Sequence, residues 1–421
     1  MCVEELKYYL THEFGKNSFI ELKEPIHVFS PELFENGAAN QSFSANMRKA
    51  ARQIANQSTT VSTGGKPFFD IRAGIHREEN AQADAGCQRL DFDDLRWFFV
   101  NPAGQYVRDT LDARLSVGES SSPEDSESFE TKLDYDVKDV LFRSYLEAAD
   151  RETLKGVSLR RLKADGSIPL MQNADDWRDW SDMAMIAQGM ETLAAGLREQ
   201  PILAGEMDFE YSAADAGESW NNPGHPGSLA GLIYDAVPDR VLRTTLILPE
   251  MTVYRSENPE EPCVQLAWSF SKTLSGSQLI RPILNHLRAN LDRKTVTKIV
   301  YPDKPDSISV RRADAMEPAD AEKIVKRFLC LYHAGMRKPL PFFPKASYAF
   351  YAGADEKKKR SQAESCWNGN KNSKGEVEKF GDFFGSELPV TDAFRSLAEA
   401  FFGAVVFRQE KSAGRGKGTG K

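Results

Sequence analysis

VQLAWSFSK, residues 264–272, is the stretch on which the fold turns. It is a short, nearly continuous apolar run closed by polar residues, and a run of that length reads as a strand buried on both faces. Two further strand-like runs precede it, MDFEY (207–211) and VLRTTLIL (241–248). Before them, Met183, Ile186, Met190, Leu193 and Leu197 recur at helical spacing. After it, Leu279, Ile280, Ile283, Leu284, Leu287 and Leu291 define a strongly amphipathic helix, with Pro282 expected in the first turn, where its missing N–H costs nothing. VTKIVY (296–301) and SISVRR (307–312) then read as a strand pair. A helix follows, carrying Ala321, Ile324, Val325, Phe328, Leu329 and Tyr332 on one side. Helix, strands, helix, strands, helix is the order of an α/β or α+β domain.

A helix, a three-stranded meander and a second helix form the core of the restriction-endonuclease-like nucleases, the PD-(D/E)xK fold. That chemistry makes a checkable demand. Two carboxylates on neighbouring strands must hold the Mg²⁺ that activates water beside a phosphate, with a lysine close by. Asp239, before VLRTTLIL, could serve as the first acid. VQLAWSFSK supplies Lys272 but neither Asp nor Glu, so an ion there would be held by one acid. Other acid-x-Lys triplets, at Asp292–Lys294, Glu130–Lys132, Asp355–Lys357 and Glu356–Lys358, fall at a helix end or in charged sequence, outside any apolar strand. The expectation is an inactive nuclease-like core, with no catalytic residue, no metal and no cofactor; an active Mg²⁺-dependent nuclease is the alternative. The glycines of KSAGRGKGTGK (411–421) are misspaced for a phosphate loop, and no Ser or Thr follows the last lysine.

Composition narrows the class. The 421 residues, 41% hydrophobic and 28% charged, suffice for two or three domains with real cores. No run of 18 uncharged apolar residues occurs, and MCVEELKYYLTHEFGK lacks the apolar block of a secretory signal, so no membrane span and a cytoplasmic location are expected. Cysteines at 2, 87, 263, 330 and 366 form no CxxC, and the six histidines are scattered, which indicates neither a disulfide framework nor a zinc site. The net charge of −8 hides an asymmetry: residues 321–421 hold 19 Lys+Arg against 11 Asp+Glu, whereas the preceding 320 residues hold 35 against 51. A basic region suits phosphates, although a solvated charged face is the commoner cause.

Upstream, FDDLRWFFVNPAGQYVRDTL (92–111) places Leu95, Phe98 and Phe99 on one helical face. Asn101 is suited to cap a second helix opening at Pro102, with Tyr106, Val107 and Leu111 on its face, which predicts a fixed elbow. Residues 3–14 read as a helix, 39–65 as a polar linker apart from a short helix around 47–54, and 116–139 as an acidic low-complexity loop that resolves into a helix over 137–149. Thr391 precedes a buried helix bearing Phe394, Leu397, Ala398, Phe401, Phe402 and Val405. KPLPFFPKASYAF (338–350) reads as a proline-stiffened strut along the core, or else as an aromatic-basic surface on which unpaired bases stack.

Four stretches in order carry a family resemblance: VFSPELF with SFSANMRKAARQI; LDFDDLRWFFVNPAGQYVRDTL; SFETKLDYDVKDVLFRSYLEAADR; and RKPLPFFPKASYAF followed by CWNG and GEVEKFGDFF. Together they resemble the C-terminal third of the RecC family, the gamma subunits of exodeoxyribonuclease V. The resemblance implies a tail of a helicase-like domain plus linker over 1–87, a nuclease-like domain over 88–409, and a disordered basic tail over 410–421. It also implies a fold similar to the partner RecB nuclease domain without its active site, and binding to RecB-like and RecD-like subunits. The implied work is splitting of double-stranded DNA and guidance of the 3′ single strand during double-strand-break repair. The family's upstream Chi-scanning domains have no counterpart here. Candidate phosphate contacts are Arg311, Arg312, Arg337, Lys338 and Lys345.

Overall fold

The computed structural model describes residues 88–110, 133, 135–164, 166, 178–216, 233, 241–304, 307–370 and 373–410, together with His12. The chain divides into two compact units, residues 1–65 and 66–421, and every element below belongs to the second. The expected N-terminal helix (apart from His12), the polar linker, the acidic loop before residue 133, Asp239 and the basic tail beyond 410 lie outside the described residues.

VQLAWSF forms strand β6 (Cys263–Trp268) of a six-stranded sheet. Beside it run β5 (Met251–Arg255) and β2 (Arg198–Ile202) on one side, and β7 (Thr295–Lys304), β8 (Ser307–Ala313) and β9 (Arg408–Gln409) on the other. Strand β6 pairs parallel with β7, while the other neighbours are antiparallel. Parallel strands need a crossover. Helix α6 (Gly276–Asp292) supplies it, and its Leu279, Ile280, Ile283, Leu284 and Leu287 are buried against the sheet. Pro282 lies inside α6 instead of its first turn, so the helix forgoes one backbone bond there. Leu266 joins the cluster on one sheet face and Ala267 the cluster on the other, which explains why the run reads as continuously apolar.

The expected three-stranded meander is not one sheet. VLRTTLIL forms β4 (Leu242–Leu248), which pairs with β3 (Gly205–Tyr211) and, in parallel, with β1 (Gln88–Asp91) in a separate three-stranded sheet. The physical cause is visible in its alternation. Thr244, Leu246 and Leu248 are buried, while Arg243 and Thr245 turn outward to Glu210 and Asp208 across β3. Such a strand has one dry face and one wet face. The neighbour of β6 is instead β5, a short run that periodicity did not reveal.

One face of the large sheet carries α3 (Tyr135–Glu147), α4 (Arg151–Ala164) and α5 (Arg178–Ala194), joined by Phe142, Leu159, Trp180, Met183 and Ile186. Leu197, expected to extend α5, lies beyond its end. The other face carries α6, α7 (Pro318–Arg337) and α1 (Phe92–Val100), the first arm of the elbow, while α2 (Pro102–Thr110) packs Ala103, Tyr106 and Val107 into a separate cluster with Phe343 and Trp367. Asn101 Oδ1 accepts the Gly104 N–H at 3.0 Å, which caps α2 as expected. Phe99 sits at the hub of this core, its ring centre 4.5 Å from Phe401, 5.1 Å from Phe98 and Phe328, and 5.8 Å from Phe342. Phe401 comes from the expected final helix, α11 (Asp392–Phe402), with Thr391 as its cap.

The 338–350 segment is half strut and half helix. Leu340, Phe342 and Phe343 are buried in an extended stretch, and Pro344 opens α8 (Pro344–Ala352). Phe343 packs on Trp367 of α9 (Glu356–Asn368) and on Phe380 and Phe384 of α10 (Val377–Phe384). With Phe342, Phe343 and Phe350 each at most 2% exposed, these rings offer bases no platform.

Candidate nucleic-acid interface

The strands that would carry nuclease chemistry are β5 and β6. Neither contains Asp or Glu; Glu250, just before β5, is exposed, and Lys272 is exposed in the turn after β6. Asp239 lies outside the described residues, and β4, which follows it, does not adjoin β6. Gln265 points from β6 into a buried polar chain. Its Oε1 accepts from Thr297 Oγ1 at 2.8 Å, and Thr297 Oγ1 lies 2.8 Å from His286 Nδ1. Asn290 closes the chain, donating to the carbonyls of His286 and Thr295. Burial holds His286 neutral, lowering its pKa to about 4. Among the described residues, no three His, Cys, Asp or Glu side chains converge as a metal site would require.

The five expected phosphate contacts do not form one patch. Arg311 and Arg312 are consecutive on β8, so they project to opposite faces of the sheet. Arg311 Nη1 donates to Tyr348 OH at 2.9 Å. Burial disfavours its charge, but the Tyr348 and Tyr301 hydroxyls outweigh that and raise its pKa. Arg312 is more open and pairs with Asp314 at 3.0 Å. Arg337 ends α7 and Lys338 caps it; a helix of 20 residues is about 30 Å long, so the pair lies far from the end of α7 that follows β8. Lys345 sits in the first turn of α8, where its backbone N–H and that of Ala346 donate to the buried Glu376 carboxylate at 2.9 and 2.8 Å.

A cluster that the sequence did not disclose gathers around the C-terminal end of β6. Asp139 of α3 is its pivot. It accepts from Trp268 Nε1 at 3.0 Å, Arg143 Nε at 3.1 Å and Arg281 Nη1 at 3.2 Å. Burial would raise the Asp139 pKa, but Arg281 and Arg143 overcome it and hold the carboxyl below its usual range. The guanidiniums of Arg143 and Arg281 also lie over the Trp268 ring, at 5.7 and 6.0 Å. Tyr135 opens α3, edge-on to Phe270 at 5.6 Å, and with Gln278, Arg281 and Asn285 lines a small pocket beside Trp268. Arg96 of α1 completes the group, its guanidinium 4.9 Å from the ring centre of Trp97. Burial and the positive charge of Arg281 both lower the pKa of Arg96. The members come from α1, α3, β6 and α6, up to 185 positions apart in the chain, so no local motif marks them. The one available signal was Trp97, a large aromatic outside the apolar face of its own helix.

A mixed α/β domain with an acid-free β6 and a cationic, aromatic cluster at the strand's end is the class of protein that the fold and site define. The RecC C-terminal domain family matches residues 88–355, and the chain belongs to that family. No curated protein matches the chain. Among the described residues, no helix is long and apolar enough to cross a membrane.

Proposed function

We propose that this chain is a noncatalytic, nuclease-like subunit of a RecBCD-type complex, which binds RecB-like and RecD-like partners and guides DNA strands during double-strand-break repair in the cytoplasm. The family membership supports the complex. The strand order supports the nuclease-like core: α5, β2, β5, β6, the α6 crossover and β7 follow in sequence, with the β3–β4 pair inserted between β2 and β5. The observation that carries the noncatalytic reading is the composition of β6 and its neighbour β5, neither of which contains the Asp or Glu that a metal-dependent nuclease strand needs. Gln265 of β6 instead accepts a neutral hydrogen bond from Thr297.

The test is direct. The purified chain with Mg²⁺ and linear DNA leaves the DNA intact, and it co-purifies with RecB-like and RecD-like subunits. Degradation of DNA by the chain alone, abolished by Asp239→Ala, would replace this reading with that of an active nuclease. The domain limits 88–409 belong to the same proposal, and truncation at 88 with retained partner binding checks them.

A further inference from the structure

We propose that Arg96, Trp97, Tyr135 and Arg281 form a binding site for single-stranded nucleic acid, with phosphates held by the two guanidiniums and bases stacked on the two exposed rings. The site deepens the strand-guiding reading and rests on it. Asp139, which neutralises part of the cluster, has both carboxylate oxygens engaged by Arg143, Arg281 and the Trp268 N–H and makes no hydrogen bond to Arg96. Arg96 is half-buried and makes no hydrogen bond or ion pair among the described residues, its one close partner being the Trp97 ring. The charges that act on it are Asp93 and Asp139 against Arg281, and Arg143 adds a third cation at Asp139. The fold alone gains little from placing like charges together, whereas an incoming phosphate gains from both.

The rings select the kind of strand. Trp97 is 48% exposed and Tyr135 39%, whereas the other large rings among the described residues are buried or partly buried. Tyr135 is within electrostatic reach of Arg96, so cation and ring stand side by side. A paired base hides its face in the duplex stack, but an unpaired base offers it to an aromatic side chain. Alternating rings and guanidiniums therefore fit an unpaired strand better than a duplex. The site also lies at the C-terminal end of β6, where the Trp268 N–H donates to Asp139.

The experiment uses the full chain, a fluorescein-labelled oligo-dT and the matching duplex, with anisotropy measured over a range of NaCl concentrations. The expected result is preference for oligo-dT. Trp97→Ala weakens binding about tenfold or more, since each stacked base contributes on that scale, while Trp97→Phe keeps most of the affinity. Arg96→Gln lowers the steepness of log affinity against log salt by about 0.7, the value of one phosphate contact on a single strand, and Arg96→Lys restores it. Unchanged far-ultraviolet dichroism and denaturation midpoints show that the variants fold. Binding of oligo-dT that is indifferent to all four variants overturns the site yet leaves the RecC-type reading intact. So does loss of partner association without loss of DNA binding, which makes the cluster a protein-docking surface. Absence of any binding by the wild-type chain at low salt also overturns it, and partner co-purification then decides separately on the broader reading.

Discussion

Phe99 and His286 show how much one side chain can settle here. Phe99 touches rings from α1, α7, the 338–343 strut and α11, so four separate parts of the chain meet on it. Replacing it with alanine leaves a cavity that close-packed neighbours cannot fill. Phe99→Ala should cost about 3–5 kcal/mol, read as a lowered urea midpoint with unchanged slope. His286 governs a response to acid. Its folded pKa is about 4, against an ordinary 6.5, because burial opposes its charged form, and His333 is lowered to about 4 by burial and by Arg337. Between those values the unfolded chain binds protons that the folded chain refuses, so stability is full above pH 6.5 and falls as the pH drops towards 4. Each histidine contributes about 3 kcal/mol to that fall by the usual conversion. Denaturation curves at pH 7 and pH 5 check it: His286→Gln should flatten the difference, and a wild-type chain equally stable at both would refute the assignment.

At the scale of elements, close approach and capping decide more than propensity. A Cβ on Gly335 of α7 would meet Phe98 Cζ at 2.3 Å, and one on Gly276 of α6 would meet the Pro344 carbonyl oxygen at 1.8 Å. Both helices can sit where they do because these positions lack a side chain. Gly276→Ala must move backbone and should lower the melting temperature more than Gly156→Ala, which meets nothing within 4 Å and should stabilise α4 by helix propensity. The start of α8 depends on a carboxylate from another element. Glu376 accepts two of its free N–H groups, although desolvation outweighs those bonds and the nearby Lys345 and Lys379 and raises the Glu376 pKa. Glu376→Ala leaves both donors buried and should cost about 1–3 kcal/mol, with hydrogen exchange accelerated first at Lys345 and Ala346.

The described residues of the second unit place helices on both faces of a six-stranded mixed sheet, with a three-stranded sheet and a two-stranded hairpin as well. That arrangement turns β6 into a shared wall between the layers and opens its C-terminal end to α1, α3 and α6. If the Asp139 latch organises this end, Asp139→Ala should release the Trp268 N–H and two arginines together. Tryptophan fluorescence should then shift and quench while the far-ultraviolet spectrum holds. An unchanged emission spectrum would show that the latch does not order the rings. Oligo-dT binding should weaken in the same variant, because Arg281 loses the partner that aims it.

Local sequence was enough for the elements whose apolar stripe matches one period: the elbow at Asn101, the α6 and α7 helices, the β7–β8 pair and the final helix at Thr391. These carry their caps and faces within a few residues, so the chain determines them before it folds. Strand β5, helix α4 and the partition of the strands into two sheets were not legible, because their partners lie far along the chain and their own patterns are short or weakly amphipathic. The expected phosphate contacts fall on different elements and faces, which composition could not show: it fixes a charge total, but the direction of each side chain follows from strand parity and helix length. The sequence by itself determined that β6 offers no acid and that the chain has the layers of an α/β domain. Only tertiary structure decided which strands adjoin it and that Arg96, Trp97, Tyr135 and Arg281 meet at its end, since proximity between distant segments is set by packing of the core and not by any local pattern.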